Sequence, residues 1–517
     1  MAAAAIVILV VTAMRIAYHA WWSPFELTAD EAHYWEWSRH LDWSYYSKGP
    51  GIALAIRGAT EIFGTDAAWA IRTVPAVSFA VVGWCMAVLA RWASPGSRLA
   101  PVFGAVAAMV VPGFQGSALL ATIDAPFLAC WALAMVVFVR MDARVRAGEP
   151  IVWDALVFGV VVGVGVLMKY TMVVLPVSLA VFHAVDPVRV RALVRVRGAL
   201  VVIVAAALVS APIVVWNALR GWPTVRHLLG HLGVAGSDVP GDGAAPWVFD
   251  IAHPAEFVGA QIALAGPMVV LMVLALRRRT WPPEEPVGPR RVHRMLVCAG
   301  IPILVMYIGV SVFTDAEGNW ALPAYVALGV LAAVVAARAF EGALLRGASA
   351  ARFLWNASVI VGVVVAVGIP MLPALERVPA LAELVPLHRV VGHRARAETL
   401  VEQLSRMPEG TIVLADRYQA ASLMAYNLRA ILGDDGPVVT SAMSMLGDRP
   451  NAYDFWSHTD PRNPSLFGRD AILVGSGLEK WERFVVFDRI EPVGPDAPFK
   501  VGRGYRGPHP VPSEAAP

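Results

Sequence analysis

Apolar residues run through the first three quarters of the chain in blocks too long for one face of a soluble helix. They lie at about 3–22, 67–90, 99–119, 122–140, 154–168, 170–185, 198–216, 256–276, 295–313, 319–337 and 353–372. Crossing a bilayer takes about 20 apolar residues, so the pattern predicts a polytopic α-helical membrane protein of about eleven transmembrane helices. The two blocks flanking Lys169 also read as one broken helix. Between the first and second blocks lies a polar, aromatic stretch, Thr28–Gly51, TADEAHYWEWSRHLDWSYYSKGPG. Its spacing predicts a helix from Asp30 to about Leu41 with Asp30, His33, Tyr34 and Trp37 on one face. The Trp and Tyr content places that helix flat in the membrane interface, an aromatic belt being the simpler alternative. Beyond residue 372 the long blocks stop. Short strand-like runs, TIVLA at 411–415 and AILVG at 471–475, alternate with helix-like stretches such as 395–407. A small α/β domain over 373–517 is expected after a membrane domain over 1–372, with a Pro-rich end from Pro508.

The arginines set the orientation. Arg91 and Arg98 follow the second block, Arg140, Arg144 and Arg146 the fourth, and Arg189, Arg191, Arg195 and Arg197 the sixth. Arg277, Arg278, Arg279, Arg290, Arg291 and Arg294 follow the eighth, and Arg338, Arg346 and Arg352 the tenth. Basic loops stay in the cytoplasm, so the N-terminus is predicted inside and the odd exits, with the 373–517 domain, outside. Composition agrees: 57% of residues are hydrophobic and 16% charged, against about 25% charged in soluble domains. A net charge of +3 gives no reason to expect nucleic acid as a partner. Cys85, Cys130 and Cys298 each fall inside an apolar run, so neither a disulfide framework nor a thiolate metal site is implied. The first block has no basic segment before it and reads as an uncleaved span. No internal repeat is visible, which weighs against a transporter built from duplicated halves.

The chemistry-bearing residues gather at the odd exits. Asp30 and Glu31 are adjacent carboxylates, and like charges close together raise one pKa, which suits a general base. Lys48, beside Tyr45 and Tyr46, is placed to hold a phosphate, or simply snorkels to the headgroups. Asp124 opens the fourth block before Pro126 and reads as a functional carboxylate, as a helix cap, or as both. Lys169 interrupts two apolar blocks, where an ionisable group is costly and marks function. Arg226 and His227, in the long seventh exit, add positive charge or line a surface loop. Asp315, Glu317, Asn319 and Trp320 precede a block; they could hold a hard cation but fit better as a helix cap that orients substrate. One mechanism uses all of these groups, namely glycosyl transfer from a polyprenyl-phosphate sugar. A base takes the acceptor proton, and a fixed cation stabilises charge growing on the leaving phosphate. A lipid or glycolipid flippase without transferase activity is the competing class. It predicts paired broken helices with acids at mid-membrane depth, whereas Asp30, Glu31 and Asp315 lie outside the blocks.

The motifs TADEAHYWEWSRHL with YYSKGPG, LLATIDAPFLACWALA, VGVGVLMKYTMVVLP, VVWNALRGWPTVRH, EGNWALPAYVAL, and RYQAASLMAY with RPNAYDFW cover most of the chain. Together they resemble bacterial membrane glycosyltransferases of the protein O-mannosyltransferase and aminoarabinose-transferase type, which have the GT-C fold. The resemblance implies an inverting enzyme of the bacterial inner (plasma) membrane. It implies Asp30 as the catalytic carboxylate with Glu31 its partner, Asp124 as a second important acid, and Lys48 on the donor phosphate, helped by Tyr34 and Tyr45. His33 stands where the aminoarabinose enzymes carry an arginine, and the Lys48-Gly-Pro turn replaces Lys-Pro-Pro. The implied partners are an undecaprenyl-type donor, membrane lipids, and a lipid, glycan or protein acceptor. No cofactor and no catalytic metal are implied.

Overall fold

The computed structural model describes residues 1–184, 192–231, 237–238, 250–277, 287–343, 347–375, 387–492 and 499–509. Arg189, Arg191, Arg278, Arg279 and Arg346 of the basic exits lie outside the described residues. The chain forms two compact units. The first comprises Met1–Ser23, Gly49–Trp216 and Trp247–Leu375; the second gathers Pro24–Lys48, Asn217–Pro246 and Glu376–Pro517.

In the first unit, seven described helices are long and apolar enough to cross a membrane. They are Ala2–Trp21, Ala68–Ala93, Asp124–Ala147, Val196–Leu219, Gly288–Ser311, Gly318–Phe340 and Ala348–Ala374. The other four expected segments are present in altered form. Ala100–Val110 and Pro112–Leu119 form one pair bent by 64°, and Ala252–Ala265 with Met268–Ala275 another bent by 100°. Val152–Met168 and Tyr170–His183 are shorter apolar helices. Each bend has a local cause. Val111 is extended before Pro112, whose ring disfavours a helical predecessor. Gly266 takes a positive φ of 58° directly before Pro267.

The core of this unit is the Leu322–Phe340 helix, whose residues are buried from Leu322 through Ala339. Its many alanines let neighbouring backbones approach closely, as small residues do between membrane helices. The same device joins Thr73–Ala93 to Ala100–Val110: a Cβ on Gly104 would lie 2.6 Å from the Met86 carbonyl oxygen. Arginines near the basic exits are tied down inside the unit. Arg291 grips Asp142 through two bonds of 2.7 Å, and Arg146 adds a third at 3.1 Å. Asp154 takes Arg140 at 3.0 Å and Arg144 at 2.9 Å. Between the first two of these helices, Gly51–Phe63 is amphipathic and leaves Leu54, Ile62 and Phe63 exposed.

The second unit is built on a five-stranded sheet. Its strands are β1 (Ile412–Ala415), β2 (Val439–Ser441), β3 (Ala471–Val474), β4 (Arg489–Pro492) and β5 (Phe499–Arg503). The order is β2-β1-β3-β5-β4. β1 runs parallel to β2 and β3, while β5 is antiparallel to β3 and β4. β1 and β3, the two runs expected from sequence, are buried at every position, as central strands covered on both faces must be. The helix Tyr418–Leu432 crosses between β1 and β2, and Ala29–Arg39 packs against it. Glu26 fastens the Pro24–Lys48 segment to the rest of the unit. Its carboxylate accepts from the backbone N–H groups of His393 (2.7 Å) and Arg394 (3.0 Å), capping the His393–Leu404 helix.

Candidate active site

Thr28 starts the Ala29–Arg39 helix through a capping box. Its hydroxyl accepts from Glu31 N–H, and Glu31 Oε2 accepts from Thr28 N–H at 2.9 Å. Glu31 is fully buried in this role. Asp30 is exposed in the first turn, where the unpaired N–H groups of the helix end favour a carboxylate. The next eight residues, Glu31 through Ser38, are all buried. Protein covers the aromatic side chains that composition alone assigns to the interface. Trp35 meets Tyr426 edge-on at 5.0 Å, and Trp37 stacks on Tyr45 at 4.2 Å.

His33 sits at the centre of a buried polar chain. Trp37 Nε1 donates to His33 Nε2 at 3.1 Å. An indole N–H can only donate, so Nε2 is an acceptor and the imidazole proton lies on Nδ1, 2.8 Å from Ser422 Oγ. Ser422 lies 3.0 Å from the Tyr453 hydroxyl, which in turn donates to Glu36. Burial, aided by the charge of Lys48, pushes His33 down to about 3, so it is neutral at physiological pH. Burial drives the Glu36 carboxyl up to about 7 against the hydrogen bonds from Tyr453 and Ser422. Tyr418, whose ring is 4.6 Å from His33, is pushed up to about 12 by burial and then by Asp30.

Lys48 is half-buried, and its carbonyl accepts from Tyr45 N–H at 3.0 Å. Its charge acts on both His33 and His227. His227 Nδ1 is 2.9 Å from Asp238 Oδ2, which also accepts from the Tyr46 hydroxyl. Arg449 Nε is 3.8 Å from the other oxygen of Asp238. Burial lowers His227 despite Asp238 raising it, with Lys48 and Arg449 adding to the fall. Both histidines are therefore neutral donors or acceptors, and the local positive charge rests on Lys48 and Arg449. Tyr45 is a structural pin: its hydroxyl donates to the carbonyls of Trp37 (2.7 Å) and His40 (3.0 Å) at the helix end. Tyr34 packs edge-on against Trp37 at 5.2 Å. Arg226 is exposed, and its carbonyl accepts from Asp238 N–H at 3.3 Å.

The first unit holds a second cluster. Asp124 is the first residue of its helix, and the position before it is Ile123 with no side-chain cap. Instead of capping, its carboxylate takes Lys169 on Oδ1 and Asn319 on Oδ2, each at 2.8 Å. Lys169 is extended between two helices (φ −152°, ψ 126°), with its ammonium 5.6 Å from the Phe127 ring centre. Trp320 tilts against Tyr307 at 5.6 Å, and Glu317 is exposed with its carbonyl accepting from Trp320 N–H. After Lys48, the Gly-Pro-Gly turn presses on the chain before Lys169. A Cβ on Gly49 would lie 2.4 Å from the Leu167 carbonyl oxygen, which explains the glycine. Among the described residues no group of three or more His, Cys, Asp or Glu side chains is placed to hold a metal ion.

Asp30, Glu31, His33, Tyr34, Tyr45, Lys48, Arg226 and His227 thus belong to the second unit, and Asp124, Lys169, Glu317, Asn319 and Trp320 to the first. The sequence reading passed over Glu36, Ser422, Tyr453, Asp238 and Arg449. Glu36 carried one signal, a lone acid between two tryptophans; Asp238, in a Gly- and Pro-rich loop, carried none.

Over its full length the chain superposes on ArnT from Cupriavidus metallidurans bound to undecaprenyl phosphate, with a TM-score of 0.62. The two are 17% identical, and 99% of each chain is covered. The chain has the GT-C fold. The Archaeoglobus fulgidus oligosaccharyltransferase shares that GT-C architecture at TM-score 0.51 and 13% identity, covering 97% of this chain and 74% of its own. Within the GT-C frame, residues 47–216 match a family described as dolichyl-phosphate-mannose-protein mannosyltransferase. The lipid A galacturonosyltransferase RgtD of Rhizobium johnstonii is 29% identical over 308 residues. That match spans 59% of this chain and 59% of RgtD.

Proposed function

We propose that this protein is an inverting glycosyltransferase that moves a sugar from a polyprenyl phosphate to a lipid, glycan or protein acceptor outside the cytoplasm of a bacterium. Asp30 takes the proton of the acceptor hydroxyl, and the freed oxygen attacks C1 of the sugar. The C1–O bond to phosphate breaks, and polyprenyl phosphate leaves with the electron pair. Lys48 stabilises the charge that grows on that phosphate, where a preplaced cation is worth most. His33 and His227 spend their ring protons on Ser422 and Asp238, so the positive charge offered to the phosphate is that of Lys48. Asp124, fixed by Lys169 and Asn319, holds the 317–320 turn in a substrate-orienting position.

The observation that carries this reading is the asymmetry around Lys48. Two imidazoles feel its charge and are both kept uncharged, while an exposed carboxylate stands at the N-terminus of the same unit's central helix. The fold shared with an undecaprenyl-phosphate-bound structure and the match to a galacturonosyltransferase support the donor class and the reaction class. Mass spectrometry of envelope glycolipids and glycans, with and without the gene, tests it. Loss of one defined sugar modification is expected; identical profiles under conditions of confirmed expression would reject transfer.

A further inference from the structure

The C-terminal half of the Ala29–Arg39 helix also borders a cleft. A cleft of about 320 Å3 lies within the second unit, between the C-terminal halves of Ala29–Arg39 and Tyr418–Leu432. Trp35, Arg39, His40, Arg429 and His458 line it, and buried Glu36 forms part of its wall. Its size is at the lower end of small-ligand sites and suits one monosaccharide carrying an anionic group.

Four features of this cleft point to a ligand. Arg39 is preorganised: Nε and Nη2 lie 3.1 and 2.9 Å from Ser38 Oγ, and its guanidinium sits 5.8 Å over the Trp35 ring. Arg429 meets Asp434 at 2.6 Å, but with the pair 43% and 80% exposed that bond is weak and exchangeable. The imidazoles of His40 and His458 lie 4.6 Å apart, with Trp456 4.8 Å from His40, offering flat faces for a sugar ring. Finally, Trp35 is 2% exposed and its indole N–H has no hydrogen-bond acceptor among the described residues. A buried, unmet donor of this kind is uncommon and calls for a partner. Burial, and after it the charges of His458, Arg429 and Arg39, push His40 down to about 4.

We propose that this cleft binds an anionic saccharide, its phosphoryl or carboxyl group held by Arg39 and Arg429 and its ring against His40 and His458. An oxygen of the ligand accepts from Trp35. The inference rests on the transferase reading only in placing this saccharide on the acceptor side of the reaction; binding itself needs no donor and no turnover.

Calorimetric titration of the full-length protein in detergent micelles, with no donor present, tests the site. The probes are glucose 1-phosphate, galacturonate, inorganic phosphate and glucose. Saturable binding of glucose 1-phosphate or galacturonate, at least tenfold tighter than glucose, is expected. The two anionic sugars separate a phosphoryl from a carboxyl preference. Arg429→Gln is expected to weaken that binding at least tenfold, and Trp35→Phe, which keeps the ring but removes the donor, about fivefold. Binding of undecaprenyl phosphate should be unchanged in both. Absence of saturable binding by either anionic sugar overturns the proposal, as does unchanged affinity in Arg429→Gln. Inorganic phosphate binding as tightly as glucose 1-phosphate would refute the saccharide part. Failure of all transfer activity alongside intact, arginine-dependent binding would count against the transferase reading and leave this site standing.

Discussion

Glu36 gives the most quantitative prediction. In the native protein it is buried with Tyr453 and Ser422 as partners, and it holds its proton up to about pH 7 rather than the ordinary 4.5. Between those two values the folded state binds more protons than the unfolded chain. Stability therefore falls as pH rises through this window, and the loss is complete above about pH 7. A separation of roughly two and a half pH units at 1.36 kcal/mol each makes the full loss about 3 kcal/mol. Glu36→Gln keeps the shape and the acceptor for Tyr453 but cannot ionise. Relative to wild type it should be near neutral at pH 5 and more stable by up to about 3 kcal/mol at pH 8. Thermal unfolding of both proteins in micelles, followed by intrinsic fluorescence from pH 5 to 8.5, measures the difference. Other titrating groups cancel in the comparison. Tyr453→Phe sharpens the test: the tyrosine hydrogen bond lowers the carboxyl's pKa, so its loss should move the falling limb to higher pH. A melting-temperature gap between Glu36→Gln and wild type that does not widen with pH would refute the reasoning.

Three further outcomes follow from the structure. Asp30→Asn should lower transfer by about 10²- to 10⁴-fold, the range for losing a general base, with donor affinity within threefold of wild type; a rate assay beside a polyprenyl-phosphate binding assay would expose an error if turnover stays high. Lys48→Met should weaken undecaprenyl-phosphate binding by about 10- to 100-fold, as loss of a hydrogen bond to a charged group does, while unchanged affinity would remove the phosphate role. Asp142→Asn leaves the buried Arg291 without its two-point partner and should destabilise the first unit by about 3–5 kcal/mol, whereas an apolar Asp142→Leu, Arg291→Met pair should be far closer to wild type; denaturant titration of both variants beside wild type checks the order.

The membrane fold was legible because each span is an uninterrupted apolar run bounded by charge, and position along the chain is enough to see it. The breaks at Val111–Pro112 and Gly266–Pro267 were blurred because apolar residues continue through them, and hydropathy does not register backbone direction. In the tail, β1 and β3 were visible as wholly apolar runs. β2, β4 and β5 were not, because Val439–Ser441 is only three residues long and Arg489–Pro492 and Phe499–Arg503 carry charge and glycine. No local pattern announces that Pro24–Lys48 and Asn217–Pro246 join the 376–517 segment, because the bonds that join them link residues far apart in the chain. Glu26 capping the His393 helix and Tyr453 donating to Glu36 are of this kind. Lys169 stands out by the cost of a charge between apolar runs, Asp124 as a carboxylate opening a run, and Asn319 as part of a polar cluster before another; the fold brings the three together.

The same reasoning explains why the Ala29–Arg39 helix misleads when read by composition. A helix at a water–lipid boundary carries an apolar stripe and a polar stripe, and its tryptophans mark the boundary. This helix has neither stripe, because Glu31 through Ser38 are covered on all sides. Its polar residues are then tolerable only where each finds a partner: His33 with Trp37 and Ser422, Glu36 with Tyr453, Ser38 with the Trp35 carbonyl. Those fixed pairings leave the helix little freedom to rotate or shift, so Asp30, exposed at its first turn, is held at a defined point. A base on a rigid platform meets the requirement that a reacting group be positioned before reaction begins. On this argument Ser422→Val, which breaks the chain between His33 and Glu36 without touching Asp30, should lower turnover while leaving Kd for the donor unchanged. A Ser422→Val protein that turns over at the wild-type rate would show that the buried network stabilises the unit without positioning its carboxylate.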